Sequence, residues 1–105
     1  MITFSDNITI TFNSIIQRIL REAHAAYQKY GYDLHVTSGN SGEHGANSLH
    51  YHNRALDLRT RTVKPDDLPK VVEAVKIGLN PPTGPKTHDV VLEGDHLHVE
   101  YDPLR

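Results

Sequence analysis

The chain has 105 residues, 37% of them apolar and 23% charged, with a formal net charge of -2. That length supports one domain with a single modest core, and it is far below the ~250 residues of a closed α/β barrel, a scaffold of many His-rich metallohydrolases. The acidic balance offers no basic stripe to nucleic acid, no apolar run approaches the ~20 residues that cross a bilayer, and the N-terminal segment has no secretory leader pattern. The absence of cysteine removes disulfides, thiolate metal ligands and a cysteine nucleophile. Eight histidines against one methionine and no tryptophan are the compositional anomaly. They direct attention to metal chemistry built from imidazole and carboxylate.

In chain order, Ile8-Thr9-Ile10-Thr11-Phe12 alternates apolar and polar residues and predicts a short half-buried strand. Ser14-Ile15-Ile16-Gln17 has the form of a capping box, which satisfies the free N–H groups that open a helix. Ile15, Ile16, Ile19, Leu20, Ala23, Ala26, Tyr27 and Tyr30 then recur at helical spacing as one apolar stripe, and Gly31 is placed to cap its end. Tyr32 to Ser38 alternates again, with Tyr32, Leu34 and Val36 opposed to Asp33, His35 and Thr37. The Gly/Ser/Asn-rich stretch from Ser38 to Asn47 reads as a loop, long enough in so small a domain to indicate function.

A strand resumes at Ala55–Arg59, where Leu56 and Leu58 oppose Ala55, Asp57 and Arg59. A second helix is predicted over Asp66–Leu79, with Asp66 and Asp67 at its positive end, Pro69 in its first turn and Gly78 near its stop. Asn80–Lys86 is a linker. Val90–Glu93 and His96–Tyr101 flank Gly94-Asp95, a two-residue hairpin signal. On the second of these strands Leu97, Val99 and Tyr101 face one way and His96, His98 and Glu100 the other. The expected fold is a single α+β domain over residues 1–105: a small antiparallel sheet with two main helices packed on one face. The other face, bearing His and Asp, is left for a site.

Two segments can carry chemistry. The first is Ser48-Leu49-His50-Tyr51-His52-Asn53-Arg54-Ala55-Leu56-Asp57. Its odd spacing puts His50 and Asp57 on opposite faces of a straight strand, so they share an ion only if His50 lies on the loop and the chain turns near Asn53. Otherwise they are a polar loop residue and a half-exposed strand residue. The second segment is Asp95-His96-Leu97-His98, whose histidines share a face ~6.6 Å apart along the strand. One can ligate a metal while the other contacts bound water or substrate, and Asp95, in the turn, can aim at that water as general base. Glu93 is the rival base. The plain alternative is a solvated pair of histidines on a polar face.

Together the two segments resemble the D-Ala-D-Ala metallopeptidases, a group with VanX- and VanY-type enzymes, phage L-alanyl-D-glutamate endopeptidases and the structurally related hedgehog signalling domain. The family signature, Ser-x-His-x-x-Gly-x-Ala-x-Asp with a later Asp/Glu-x-x-His, is matched by Ser48, His50, Ala55 and Asp57 and by Asp95 and His98. His96 completes His-x-His. The resemblance implies one zinc ion per chain held by His50, Asp57 and His98 on the sheet face opposite the helices. It also implies Asp95 as general base for a zinc-bound water, His96 as oxyanion stabiliser or carbonyl-orienting group, and Ser48 in support. The implied activity is hydrolysis of peptidoglycan stem peptides, by a D-Ala-D-Ala carboxypeptidase or dipeptidase or an L-Ala-D-Glu endopeptidase.

The chain departs from the family at three points. Asn53 stands where the family has glycine, and Asn40 and Ser41 follow Ser38-Gly39 where many members carry a carboxylate-binding arginine. The tryptophan beside the last histidine is absent. Arg54 or Arg59 would have to supply the missing guanidinium. A non-catalytic zinc-binding module of a cell wall or phage particle is the alternative, and an HNH-type nuclease, suggested by His50-Tyr51-His52-Asn53, is disfavoured by the acidic balance. The expected partner is a stem peptide, with no nucleic acid or membrane, and the expected state is a monomer. Without a leader, a wall hydrolase made in the cytoplasm needs another exit, such as phage lysis. Of the remaining histidines, His24 is expected at a core boundary, His35 on the polar face, His44 in the loop, and His52 and His88 exposed.

Overall fold

In the computed structural model, which describes residues 1–39 and 54–103, helix α1 (Ser14–Lys29) buries Ile16, Ile19, Leu20, Ala23, Ala26 and Tyr27. These are the inner positions of the apolar stripe. Its cap is Asn13 rather than Ser14. The Asn13 backbone is extended (φ -80°, ψ 176°) and its Oδ1 accepts from the Ile16 N–H at 2.8 Å, so the amide side chain does what the Ser14 hydroxyl was expected to do. At the other end Gly31, at φ 86°, donates its N–H to Gln28, and Tyr32 donates to the Tyr27 carbonyl. This pair of bonds is the Schellman closure that the glycine predicts.

Helix α2 (Leu68–Leu79) opens two residues later than the acidic pair suggests. Asp67 makes no side-chain capping bond because its carboxylate accepts from the Tyr32 hydroxyl, which in turn accepts from the Lys64 N–H. Tyr32 thereby ties the end of α1 to the entry of α2. Gly78 lies within the last turn of α2, not at a cap. A Cβ there would stand 2.9 Å from Oε1 of Glu22, so the glycine lets the two helices approach.

Five strands follow one sheet order, β1-β2-β3-β5-β4, with β1 at Ile2–Phe4, β2 at Leu34–Ser38, β3 at Ala55–Arg59, β4 at His88–Glu93 and β5 at His96–Tyr101. The α+β expectation holds, but the sheet is mixed: β1 pairs parallel to β2, and the other neighbours are antiparallel. The strand expected at residues 8–12 is not one. Ile8 and Ile10 instead pack half-buried against the core, and a Cβ on Gly39 would stand 2.6 Å from both Ile10 Cγ1 and the Thr9 carbonyl. Alternating residues suit any extended chain that passes one side over a core. Pairing at the sheet edge went to Ile2–Phe4 instead.

Leu34, Val36, Leu56, Leu58, Val90, Leu97 and Val99 join the buried residues of α1 and α2 in one core, so both helices cover the same sheet face. Among the described residues no helix is long and apolar enough to cross a membrane. Asn80 clamps the 80–87 connection onto β4. Its Oδ1 accepts from the Thr87 and His88 N–H groups and its Nδ2 donates to the His88 carbonyl, at 2.8–2.9 Å. His88, expected exposed, is 6% exposed. The strand alternation that buries Val90 also turns His88 inward, where its ring packs 5.2 Å from that of Tyr101.

Two stability predictions follow from buried polar groups. The Tyr27 hydroxyl, fully buried, donates to the Arg59 carbonyl at 2.8 Å. Tyr27→Phe should leave that carbonyl short of a donor and cost about 1–3 kcal/mol in urea unfolding, with the helical circular dichroism of the folded state unchanged. Burial, and then the nearby Arg18 charge, lowers the His88 pKa to about 4. A folded pKa below the unfolded ~6.5 means the unfolded chain takes the proton first, so stability falls as pH drops through 6.5 towards 4. The expected loss is roughly 3 kcal/mol. His88→Leu should remove this component, read as the difference between wild-type and variant urea midpoints across that pH range.

Candidate functional site

The register of β3 against β5 assembles the polar face of the sheet. Ala55, Asp57 and Arg59 stand directly across from Glu100, His98 and His96. Because Leu56 and Leu58 point into the core, each of these partners must point away from it. Asp57 and His98, far apart in sequence, are therefore cross-strand neighbours, with Asp57 Oδ1 2.9 Å from His98 Nδ1. On the other flank β2 carries an irregularity in which Val36 pairs with Leu58 but Ser38 with Asp57. The extra residue, Thr37, places its hydroxyl 3.3 Å from the Asp57 carbonyl, to which it donates. Such bulges re-aim side chains where strands meet a site.

His98 is held at both ring nitrogens. Its Nε2 lies 2.9 Å from Glu100 Oε1, two residues along the same face. Ionised carboxylates only accept, so the two contacts together favour the protonated ring. The Asp57 hydrogen bond is the main cause of its raised pKa; burial opposes the shift and Glu100 adds to it. The floor of the site is Asp57 at 18%, His98 at 19% and Glu100 at 22% side-chain exposure.

The rim is more open. His96, at 33% exposure, lies between two carboxylates: Asp95 Oδ1 is 3.3 Å from its Nδ1 and Glu93 Oε1 is 3.6 Å from its Nε2. The same Nε2 is 3.9 Å from Asp57 Oδ1, which links rim to floor. Asp95 is 81% exposed in the hairpin turn, and its carbonyl accepts from the Thr60 N–H at 3.2 Å, so the turn is attached to the exit of β3. A cleft of about 140 Å³ opens at this point, lined by Thr37, Arg59, Arg61, Asp95 and His96.

Of the residues expected to act, Asp57, Asp95, His96 and His98 lie together on one face. Ser48 and His50, with His44, His52 and Asn53, lie outside the described residues. Arg54 belongs to the opposite end of β3: its carbonyl accepts from the Tyr101 N–H, and its guanidinium carbon sits 6.0 Å from the centre of the Tyr101 ring. Of the two arginines expected to bind substrate, Arg59 lies at the cleft. His35 is engaged at both nitrogens by Thr3 and Ser5 hydroxyls at 2.7 and 2.8 Å, which makes it a link to the β1 side of the sheet. Glu100, Thr37 and Arg61 were not singled out from the sequence. The His98-x-Glu100 alternation was the signal for the first; nothing in sequence spacing marks the other two.

Imidazole nitrogen and carboxylate oxygen are donors that zinc accepts, and Asp57 and His98 present one of each side by side. Glu100, by holding the Nε2–H, leaves Nδ1 as the ring nitrogen for an ion once its proton is lost, the usual outer-ligand arrangement for a metal-binding histidine. The donor set therefore fits. Among the described residues, three donors close enough to share an ion occur in a different group: Asp89, Glu100 and Asp102, half-buried, with ligand atoms within 4.8 Å of one another. That group excludes Asp57 and His98, and its Glu100 also contacts His98 through Oε1.

The His98 imidazole should titrate above the ordinary histidine range. Asp57→Asn should lower its pKa further than Glu100→Gln does, following the order of the two contributions. Histidine side-chain NMR across pH 5–9 checks both. No protein-family model matches this chain, and no curated protein sequence matches it.

Proposed function

We propose that the chain is a zinc-dependent peptidase of peptidoglycan stem peptides, acting as a D-Ala-D-Ala carboxypeptidase or dipeptidase or as an L-Ala-D-Glu endopeptidase, with His50, Asp57 and His98 as metal ligands. The observation that supports this reading is the pairing of Asp57 with His98 on the half-buried floor, directly beside Asp95 and His96 on the rim of the same sheet face. A zinc ion in such a site polarises a scissile carbonyl and lowers the pKa of water.

The chain's own residues have separable tasks. Glu100 fixes the His98 ring so that Nδ1 faces Asp57. Asp95 takes a proton from the attacking water and returns it to the departing amine, so that peptide and water become a carboxylic acid and an amine. Its carboxylate is oriented by His96 Nδ1. His96 Nε2 then donates to the carbonyl oxygen as negative charge builds there. Glu93, at the same Nε2, is the second carboxylate within reach of this chemistry.

Zinc must displace the Nδ1 proton of His98, so its affinity should fall as pH drops below the His98 pKa. Zinc titrations at pH 8 and pH 6 should show this dependence, and His98→Ala should abolish tight binding. Asp95→Asn should retain one zinc per chain and lower kcat by ~10²–10⁴-fold. If Glu93→Gln has that effect instead, the base is Glu93.

The deciding experiment is mass spectrometry of defined muropeptides incubated with zinc-loaded protein, with a chelated control. Loss of a terminal D-alanine, or a cut between L-alanine and D-glutamate, is expected only with zinc. Intact muropeptides with one zinc bound would move the function to a non-catalytic wall-binding or phage structural module. Intact muropeptides with no zinc bound would remove the metal site itself.

A further inference from the structure

Strand β4 ends the sheet order, and among the described residues nothing pairs with its outer side. The hydrogen bond from the Asp102 N–H to the Thr87 carbonyl fixes which of its backbone groups face outward. Thr87, Asp89, Val91 and Glu93 bond inward to β5, so His88, Val90 and Leu92 present N–H and C=O to the free edge. Asn80 takes both groups of His88. The groups of Val90 and Leu92 meet no partner among the described residues.

Side chains at this edge are left open as well. Val91 and Leu92 are each 46% exposed, on opposite faces of the strand, and Ile77 of α2 is 49% exposed beside them. On the helix side a groove of about 650 Å³ runs between α2 and β4, lined by Ile77, Pro82 and Val90 and by the cations Lys76 and Lys86. On the other side β4 carries two carboxylates, Asp89 and Glu93, one on each side of Val91. A strand laid along this edge would therefore meet negative charge through one face and an apolar groove with positive charge through the other.

A second copy of β4 does not fit that pattern. Centred on Val91, antiparallel self-pairing sets Asp89 directly against Glu93 of the other copy, and like charges in that relation repel. Centred on Val90 or nearer the start of the strand, it needs the His88 groups that Asn80 holds. Edge charges of this kind blunt self-association. They leave the edge open to a strand of the opposite charge.

We propose that the outer edge of β4 is a docking site for an extended segment of another protein, added antiparallel as a further strand. The segment carries basic residues opposite Asp89 and Glu93 and uncharged β-branched or apolar residues toward the α2 groove. Its backbone bonds to Val90 and Leu92, and the spacing of its charges supplies specificity. The site lies one strand beyond the Asp57–His98 pair and does not rest on the peptidase reading.

The test is NMR and calorimetric titration of the full-length chain, in chelator, with the blocked peptide acetyl-Ser-Lys-Val-Thr-Val-Lys-Ser-amide. Saturable binding is expected, with the Val90 and Leu92 amide signals moving downfield. The permuted peptide acetyl-Ser-Val-Lys-Thr-Lys-Val-Ser-amide has the same charge but cannot set both lysines against Asp89 and Glu93, and should bind at least ~10-fold more weakly. N-methylation of the two valines should weaken binding by ~10-fold or more, whereas N-methylation of the threonine, whose N–H faces away, should not. Leu92→Pro removes an outward N–H without taking a bond from the β4–β5 ladder, and should likewise lower affinity by ~10-fold or more in a folded protein.

No saturable binding, equal binding of the permuted peptide, or equal sensitivity to both N-methylations would overturn the proposal, whatever the behaviour of Leu92→Pro. A dimer in sedimentation that Leu92→Pro dissociates would overturn it in favour of a second copy as occupant. The outcome is separable from the peptidase reading: the docking site is tested in chelator with a peptide, the enzyme with zinc and muropeptides.

Discussion

The register of β3 against β5 is the constraint on which the polar face depends. With Leu58 opposite Leu97 and Leu56 opposite Val99, the apolar residues of both strands meet in the core, and Asp57 and His98 are forced together on the other side. A slip of one residue would bury a carboxylate and expose leucines, a loss far larger than any gain on the polar face. The core, not the site, therefore holds the site residues in place. Three further contacts reinforce this register. The two-residue turn at Gly94-Asp95 sets β5 against β4, the Thr60–Asp95 backbone bond sets the turn against β3, and the Tyr27 hydroxyl anchors the Arg59 carbonyl from within α1.

Electrostatics on that face follow burial. At the half-buried floor the His98 ring lies between two carboxylates, with Asp57 at Nδ1 and Glu100 at Nε2. At the rim, where water screens charge, His96 has carboxylates on both sides, and Arg59 and Arg61 line the adjoining cleft.

Which of these features could be read from one-dimensional spacing depends on the range of the interaction responsible. Helix α1 is a run of local i, i+3 and i+4 relations, and its stripe and Gly31 closure were legible, whereas the choice of Asn13 over Ser14 as cap turned on one backbone conformation. The β4–β5 hairpin was legible because a two-residue turn fixes register within a dozen residues. The parallel pairing of β1 with β2 was not, since it joins Ile2–Phe4 to Leu34–Val36 across a whole helix, and the more conspicuous alternation at residues 8–12 competed for the same role. His88 was misjudged for a related reason: a polar residue at the start of a strand has no sequence mark that distinguishes a core-facing position from a solvent-facing one until its partner, Tyr101, is known.

The sequence by itself determined the residue types available for chemistry, with histidine and carboxylate present and cysteine absent. It also determined the two faces of β2, β3 and β5, because side-chain direction along a strand has period two and the apolar residues fix its phase. The tertiary structure alone decided who meets whom. That Asp57 touches His98, that Glu100 holds the far nitrogen of that ring, and that Arg59 and Arg61 open onto the same cleft as Asp95 are consequences of strand order and register. Those are set by burying the whole apolar surface at once, a global condition that no local spacing contains.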